Sequence, residues 1–189
     1  MAQDKAGYLW FGTLGGASRF DGLDFENYGL RDGLPDVQVN AMLATDDGSL
    51  WLGCGAFLVR YDGRAMHVVP LPAWTKDARI LALATGPDGS LFIGTDGAGL
   101  LRMKDGAATV PAGWPVDTAA SVRTLLTTSD GTLYAGLRNG LLRSTPEGFM
   151  RVPLPMPASI SALAMGKDGT LWAGTFGAGL LGVHRDGSL

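Results

Sequence analysis

The segment DGSLWLGCGAFLVRYDG, residues 47–63, contains a turn dipeptide, a Leu-aromatic run closed by glycine, and a second turn dipeptide. Asp-Gly between two apolar runs is a strong hairpin signal, because both residues tolerate the positive φ that a tight turn demands. The segment therefore predicts short antiparallel strands joined by tight turns. Such a segment could be a functional loop that occurs once, or a structural unit that occurs many times.

The same pattern occurs five times along the chain, at intervals of 38 to 42 residues. The run of leucine, aromatic residue, any residue and glycine begins at Leu9, Leu50, Leu91, Leu133 and Leu171. Asp-Gly precedes the last four copies, and Ala6-Gly7 precedes the first. A fixed period of this length indicates a repeat architecture. The opening segment is therefore the second copy of a structural unit.

Each repeat predicts three or four short strands. The strand before the Asp-Gly turn alternates small and β-branched residues, which is typical of a tightly covered strand. Its aligned copies share one β-branched column, formed by Val39, Ile80, Val122 and Ile160. Units of about 40 residues with this content are typical of β-propeller blades, and no amphipathic helical run favours a helical solenoid. We predict an all-β fold, a β-propeller of about five four-stranded blades.

The two ends of the sequence fall inside repeats. Met1 aligns with the middle of the first inner strand, and LLGVHRDGSL stops after the third strand of the fifth repeat. We expect incomplete blades at both ends, with residues 1–189 forming a single β-propeller domain or a propeller fragment. The ends could complete one blade within the chain, or copies of the chain could complete one another as a homo-oligomer.

Composition narrows the class of partner. Apolar residues make up 46% of the 189 residues, charged residues make up 17%, and the formal net charge is −3. These values argue against nucleic-acid binding and favour a small ligand or a protein partner. The single cysteine excludes an intrachain disulfide. The chain shows neither a signal peptide nor an apolar stretch long enough to span a membrane.

The segments GYLWFGTLGGASRFDG and DGSLWLGCGAFLVRYDG resemble the two-component regulator propeller repeat, whose pattern is roughly D-x-x-G-x-L-W-I-G-T-x-x-G-L-x-R-Y-D-G. The resemblance implies the extracytoplasmic or periplasmic sensor region of a bacterial hybrid histidine kinase or a related regulator. It also implies that the propeller detects a ligand such as a carbohydrate. The chain would then be a portion of a sensor, with no membrane contact of its own.

Propellers usually bind ligands at the mouth of the central channel, where the inner strands begin. At this point the aligned repeats differ from one another while their neighbours repeat, as expected of a site grafted on a scaffold. The candidate ligand-binding residues are Asp36, Gln38, Asn40, Trp74, Arg79, Trp114 and Arg123. The alternative is that the polar members solvate the channel and the two tryptophans pack between blades.

Two types of candidate residue suggest a ligand class. Arg79 and Arg123 would suit a carboxylate, a phosphate or a sugar acid if their guanidinium groups converge. Trp74 and Trp114 occupy equivalent connections between repeats and could stack on a sugar face. Together they point to a carbohydrate or a sugar acid.

Cys54 stands where the other copies have threonine or leucine. A nucleophilic cysteine needs a base or a cation that lowers its pKa, and His67 follows two predicted strands later. Cys54 is therefore a catalytic candidate with His67, a binding contact or a passive core residue. The corresponding enzymatic alternative is a promiscuous hydrolase of esters or phosphoesters, with its site in the channel or at an oligomer interface.

The sequence offers little for a metal. Two histidines cannot supply a three-histidine zinc site. Asp36, Asp96 and Asp117 could give oxygen ligands to calcium or another divalent ion if their loops meet. We otherwise expect no cofactor.

Overall fold

A computed structural model describes residues 1–115 and 120–184, which form five antiparallel β-sheets. Each sheet is one copy of the sequence repeat, and we number them blade 1 to blade 5. The predicted β-propeller is thereby confirmed. Two compact units are distinguished, Met1–Leu83 and Ala84–Leu189.

The first unit contains blades 1 and 2. Blade 1 consists of β1 (Ala2–Gln3), β2 (Leu9–Thr13), β3 (Gly16–Phe20) and β4 (Phe25–Tyr28). Blade 2 consists of β5 (Val39–Ala44), β6 (Leu50–Cys54), β7 (Phe57–Tyr61) and β8 (Met66–Val69). Strands pair in chain order, so the inner strand of each blade lies at one edge of its sheet.

Blade 3 begins with β9 (Arg79–Thr85), in which the boundary between the units falls, and continues with β10 (Leu91–Asp96), β11 (Leu100–Lys104) and β12 (Ala107–Thr109). Blade 4 consists of β13 (Val122–Thr127), β14 (Leu133–Leu137), β15 (Gly140–Thr145) and β16 (Gly148–Val152). Blade 5 consists, among the described residues, of β17 (Ser159–Met165), β18 (Leu171–Phe176) and β19 (Leu180–Val183). The two-residue β1 and the three-stranded blade 5 confirm the expected incomplete blades at both ends.

The Asp-Gly turns are fixed by a side-chain network. In blade 3, Asp88 Oδ1 accepts from the Ser90 hydroxyl at 2.7 Å, and the glycine after Asp88 has a φ of 74°. Arg102 on β11 reaches back, donating from Nε to Ser90 Oγ at 3.1 Å and pairing with the Asp88 carboxylate. Lys104 Nζ lies 2.7 Å from the same carboxylate. The arginine of the repeat thus ties the third strand to the turn.

In blades 1 to 4, the glycine that ends the Leu-aromatic run is the place where the next inner strand packs. A Cβ on Gly53 would lie 2.5 Å from Cγ2 of Ile80, and one on Gly136 would lie 2.7 Å from Cγ2 of Ile160. These isoleucines belong to the β-branched column of the inner strands and are fully buried. Glycine leaves the space that the branched side chain of the following blade fills.

The core of the first unit centres on Trp10, which is fully buried. Its ring centroid lies 5.1 Å from those of Tyr28 and Tyr61, distances typical of stabilising aromatic pairs. The indole N–H donates to Asp4 Oδ2 at 2.7 Å, so the polar edge of the ring is satisfied.

The helices of the described residues are two 3-10 turns, Leu30–Asp32 and Ala73–Thr75, in the connections that lead to inner strands. No helix in residues 1–115 or 120–184 has the length and apolar character needed to cross a membrane.

Candidate ligand site

The inner strands of blades 2, 4 and 5 each contain a β-bulge at the same place. The pairing register shifts between Val39 and Ala41, between Val122 and Thr124, and between Ile160 and Ala162. The residues at these bulges are Asn40, Arg123 and Ser161, and all three are exposed. A bulge redirects a side chain away from the regular alternation of the strand. The variable column of the sequence is therefore the column of bulged residues.

The aligned sequences show this variable column, but they do not show that a β-bulge lies at it. In blades 2, 4 and 5 the bulge occurs at the same position, so it leaves no gap when these repeats are aligned. Ser161, which belongs to the same column, was not among the predicted ligand-binding residues. Its hydroxyl donates to the Gly174 carbonyl oxygen on β18 at 3.1 Å.

The start of β5 in the first unit is held by backbone hydrogen bonds. Asp36 Oδ1 accepts from the Gln38 N–H at 2.9 Å, and the Gln38 carbonyl accepts from the Gly55 N–H at 2.8 Å. The Gly55 carbonyl in turn accepts from the N–H of Ile80 on β9 at 2.8 Å. One turn, between β6 and β7, thus fixes the starts of two successive inner strands. Arg79, next to Ile80, is exposed at the start of β9.

The start of β13 in the second unit is held in a similar way. The Ser121 carbonyl accepts from the Arg138 N–H at 3.3 Å, and Ser121 also forms an isolated bridge with Asp96 at the end of β10. The exposed Arg123 follows two residues later. Its guanidinium has no hydrogen-bond or ion-pair partner within residues 1–115 and 120–184.

The two predicted tryptophans differ in environment. Trp74 lies in the 3-10 turn before β9 and is 51% exposed. Trp114 is half-buried and packs edge-on against Phe149, with ring centroids 5.0 Å apart. The contacts of Trp114 match the packing alternative. Stacking of a sugar on Trp74 stays a prediction.

The predicted ligand-binding residues are divided between the two units. Asp36, Gln38, Asn40, Trp74 and Arg79 belong to Met1–Leu83, whereas Trp114 and Arg123 belong to Ala84–Leu189. Within the first unit the structure brings Asp36 and Gln38 into direct contact. Convergence of Arg79 with Arg123 stays a prediction.

Cys54 lies at the end of β6, paired with Val39 and Phe57, and is fully buried. Burial, followed by the nearby Asp36 carboxylate, raises the pKa of the thiol to about 12. Since the thiolate is the nucleophile, this environment favours the core role over the catalytic one. His67 lies on the outer strand β8, where its Nε2 is 2.9 Å from Asp62 Oδ2.

A metal site is not visible in the described ranges. Residues 1–115 and 120–184 contain no group of three or more His, Cys, Asp or Glu side chains that could hold a metal ion. Asp36 lies in the first unit, Asp96 lies in the second, and Asp117 lies outside the described residues. Calcium binding by these aspartates stays a prediction.

The family described as two component regulator propeller matches residues 33–56, which run from the 3-10 turn before β5 to the end of β6. Residues 33–56 therefore match one copy of that repeat. The matched repeat includes Asp36, Gln38, Asn40 and Cys54, so it covers the entry to blade 2. No curated protein matches the sequence significantly.

Solved structures with the same fold include sensor domains and enzymes. The extracellular domain of a hybrid two component system from B. thetaiotaomicron is 19% identical with a TM-score of 0.78, over 92% of this chain and 25% of that chain. Virginiamycin B lyase from Staphylococcus aureus is 18% identical with a TM-score of 0.80, over 99% of this chain and 66% of the lyase. A gluconolactonase from Xanthomonas campestris is 17% identical with a TM-score of 0.64, over 95% of this chain and 69% of the gluconolactonase.

At this level of identity the similarities establish the propeller fold of the repeat-bearing chain and nothing about its activity. The chain spans about a quarter of the first of these structures.

Proposed function

We propose that the chain is a ligand-sensing or interaction β-propeller, a portion of a bacterial two-component-type sensor that acts in the periplasm or elsewhere outside the cytoplasm. The carrying observation is the bulge column, in which an exposed and variable residue recurs on a strand whose backbone is repeated from blade to blade. The match to the regulator propeller repeat supports the proposal. The similarity to the extracellular domain of a hybrid two component system supports it further.

The proposed ligand is a small carbohydrate or sugar acid. In the first unit, Asn40 offers an amide for hydroxyl groups and Trp74 offers an exposed aromatic side chain, with Arg79 as a candidate cation. In the second unit, Arg123 offers guanidinium donors for a carboxylate. A homo-oligomer in which copies complete one another's terminal blades is the proposed assembly.

A thermal-shift and calorimetric titration with neutral sugars, sugar acids and matching oligosaccharides tests this function. A ligand present at about 100 times its Kd stabilises the folded state by about 2.7 kcal/mol, which corresponds to a rise in Tm of about 5–10 °C for a domain of this size. Asn40→Ala should abolish most of the rise caused by a ligand bound at the strand entry of the first unit, and Arg123→Ala should do the same for a ligand bound at the strand entry of the second unit. Arg64→Ala, which removes an exposed cation from the β7–β8 turn, is the matched control and should preserve it.

Two results would contradict the proposal. One is the absence of any shift across the whole panel. The other is a shift that survives both Arg123→Ala and Asn40→Ala, because the ligand would then bind elsewhere. Mass measurement in solution, by light scattering, tests the homo-oligomer separately.

The second candidate is a hydrolase of esters or phosphoesters, favoured by the fold shared with the gluconolactonase from Xanthomonas campestris. A panel of ester, lactone and phosphoester substrates would detect it as turnover above the background rate. Loss of that turnover in Cys54→Ala would assign the thiol a catalytic role. Turnover unchanged in Cys54→Ala, but lost in Arg123→Ala, would place the chemistry at the strand entries instead.

A further inference from the structure

The second unit contains a cleft of about 350 Å³ between blades 4 and 5. Its walls include residues of both sheets, among them Thr128, Tyr134, Arg143, Met150, Met165 and His184. The Asp-Gly turns of the two blades border it through Asp130 and Gly169. These turns follow β13 and β17, so the cleft lies at the end of the blades away from the strand entries. It is therefore separate from the ligand site proposed above.

One wall of the cleft is a row across blade 4. Tyr134, Arg143 and Met150 are paired in register on β14, β15 and β16, so they share one face of the sheet. The same row in blades 2 and 3 carries Arg60 and Arg102. Each of these two arginines is bound to the Asp-Gly turn of its own blade, through a serine hydroxyl and a carboxylate.

Arg143 differs from Arg60 and Arg102, and also from Arg19 of blade 1, which pairs with Glu26. In the described part of the chain Arg143 has neither a hydrogen bond nor an ion pair, although it is exposed in the wall of the cleft. The residue before the Leu-aromatic run is Thr132 here, where blades 2 and 3 have serine. Among the described residues, nothing competes with a ligand for the N–H donors of Arg143.

The other polar groups of the cleft are engaged in local contacts. Asp130 Oδ1 accepts from the Thr128 hydroxyl at 2.5 Å and from the Thr132 N–H at 3.1 Å. His184 Nδ1 lies 3.3 Å from the Thr170 hydroxyl. Arg151 also borders the cleft, but it is paired with Leu142 on the opposite face, and its guanidinium lies 3.4 Å from the Asn139 carbonyl. Arg143 is thus the cation that is best placed to bind a ligand in the cleft.

Part of the remaining lining is apolar. Met150 and Met165 are 44% and 39% exposed, and Leu171 and Val183 also line the space. Thioethers and aromatic rings adapt well to flat organic groups, and a guanidinium binds a carboxylate through two parallel hydrogen bonds. The volume lies at the lower end of the range of about 300–1,000 Å³ that is usual for ligand pockets.

We propose that this cleft binds a small organic carboxylate with an apolar ring, its carboxylate on Arg143 and its ring between Tyr134 and the two methionines. The site is a second one, independent of the proposed sensing of a ligand at the strand entries.

Phenylacetate is the probe, and binding is measured by saturation-transfer NMR and calorimetry on the full chain. Loss of a charge-assisted hydrogen bond weakens binding by about 10- to 100-fold, so Arg143→Ala should raise the Kd by that factor. Arg143→Lys keeps the charge without the planar fork and should fall between. Arg60→Ala removes the equivalent arginine of blade 2 and should leave the Kd unchanged. Because Arg143 has no partner in the described residues, Arg143→Ala should keep the wild-type Tm.

The proposal is overturned if the wild-type chain does not bind phenylacetate, or if Arg143→Ala and Arg60→Ala behave alike. If sulfate displaces phenylacetate and binds with a similar Kd, the cleft is a simple anion site, and the proposal that it selects an organic carboxylate is wrong. If glucuronate binds more tightly than phenylacetate and its binding depends on Arg143, the proposal that the ligand has an apolar ring is wrong. Arg123→Ala should leave phenylacetate binding intact, which separates this result from the failure of the proposed sensing function.

Discussion

Gly53→Ala tests the packing of one blade against the next. The added Cβ would lie 2.5 Å from Cγ2 and 2.9 Å from Cβ of Ile80, distances that real Cβ atoms essentially never show. Ile80 is fully buried, and its branched side chain is stiff at χ1, so the strand itself must move. Overpacking of this kind costs about 1–3 kcal/mol.

For a domain of this size the cost corresponds to a fall in Tm of about 2–12 °C. Differential scanning calorimetry and urea unfolding of the same variant measure it. The matched control is Gly174→Ala, at the same motif position in blade 5, where the nearest atom to the added Cβ is the Cβ of Ala162 at 3.4 Å. That distance is an ordinary contact, and removal of glycine restricts the unfolded chain. The control should stay within about 1 kcal/mol of the wild type.

The double variant Gly53→Ala/Ile80→Ala isolates the clash. Ile80→Ala alone should cost about 2–5 kcal/mol because it leaves a cavity. If the two side chains compete for one space, the double variant is less destabilised than the sum of the single variants by about 1 kcal/mol or more. Equal losses for Gly53→Ala and Gly174→Ala, or strict additivity in the cycle, would refute the packing argument.

Two further predictions follow from titratable groups in the blades. Burial raises the pKa of Cys54 to about 12, so a thiol reagent at pH 8 should label the folded chain very slowly and the urea-unfolded chain at once; rapid labelling of the folded chain would show that the thiol is accessible. Hydrogen bonds from Lys104, then Ser90, hold the pKa of Asp88 well below its ordinary 3.8, so the carboxylate stabilises the fold at neutral pH and that contribution is lost as the pH falls below about 4. Asp88→Asn should therefore lower the Tm at pH 7, and the gap from the wild type should narrow in acid; a gap that stays constant down to pH 2 would contradict the role of the charge.

The scaffold was accessible from the sequence because its signals are local and repeated. Asp-Gly at Asp88 and its equivalents specifies a turn through residues adjacent in the chain, and the period of the Leu-aromatic run specifies the blade. The partnership between Gly53 and Ile80 was not visible. The alignment shows the glycine column and the β-branched column of the inner strands separately. Only the packing of successive blades brings residues of the two columns into contact.

The candidate sites were less accessible, since they depend on differences between side chains in equivalent positions. The sequence shows the same arginine at Arg60, Arg102 and Arg143. It does not show that the first two are bound to their turns while the third is not. Similarly, the sequence shows that Cys54 replaces the threonine or leucine of the other repeats. Its burial and the raised pKa of its thiol arise from the surrounding strands, which the sequence does not show.

The recurring bulge lets the side chain at one position change without altering the strand pairing of the blade. Because Asn40, Arg123 and Ser161 have no regular partner on the neighbouring strand, each can be exchanged without changing the ladder that supports it. Every copied blade then adds one position at which the polarity of the strand entries can be altered independently. When such blades are duplicated and then mutated, ligand recognition can change by one substitution at a time. The residues that specify the fold of the repeat stay the same.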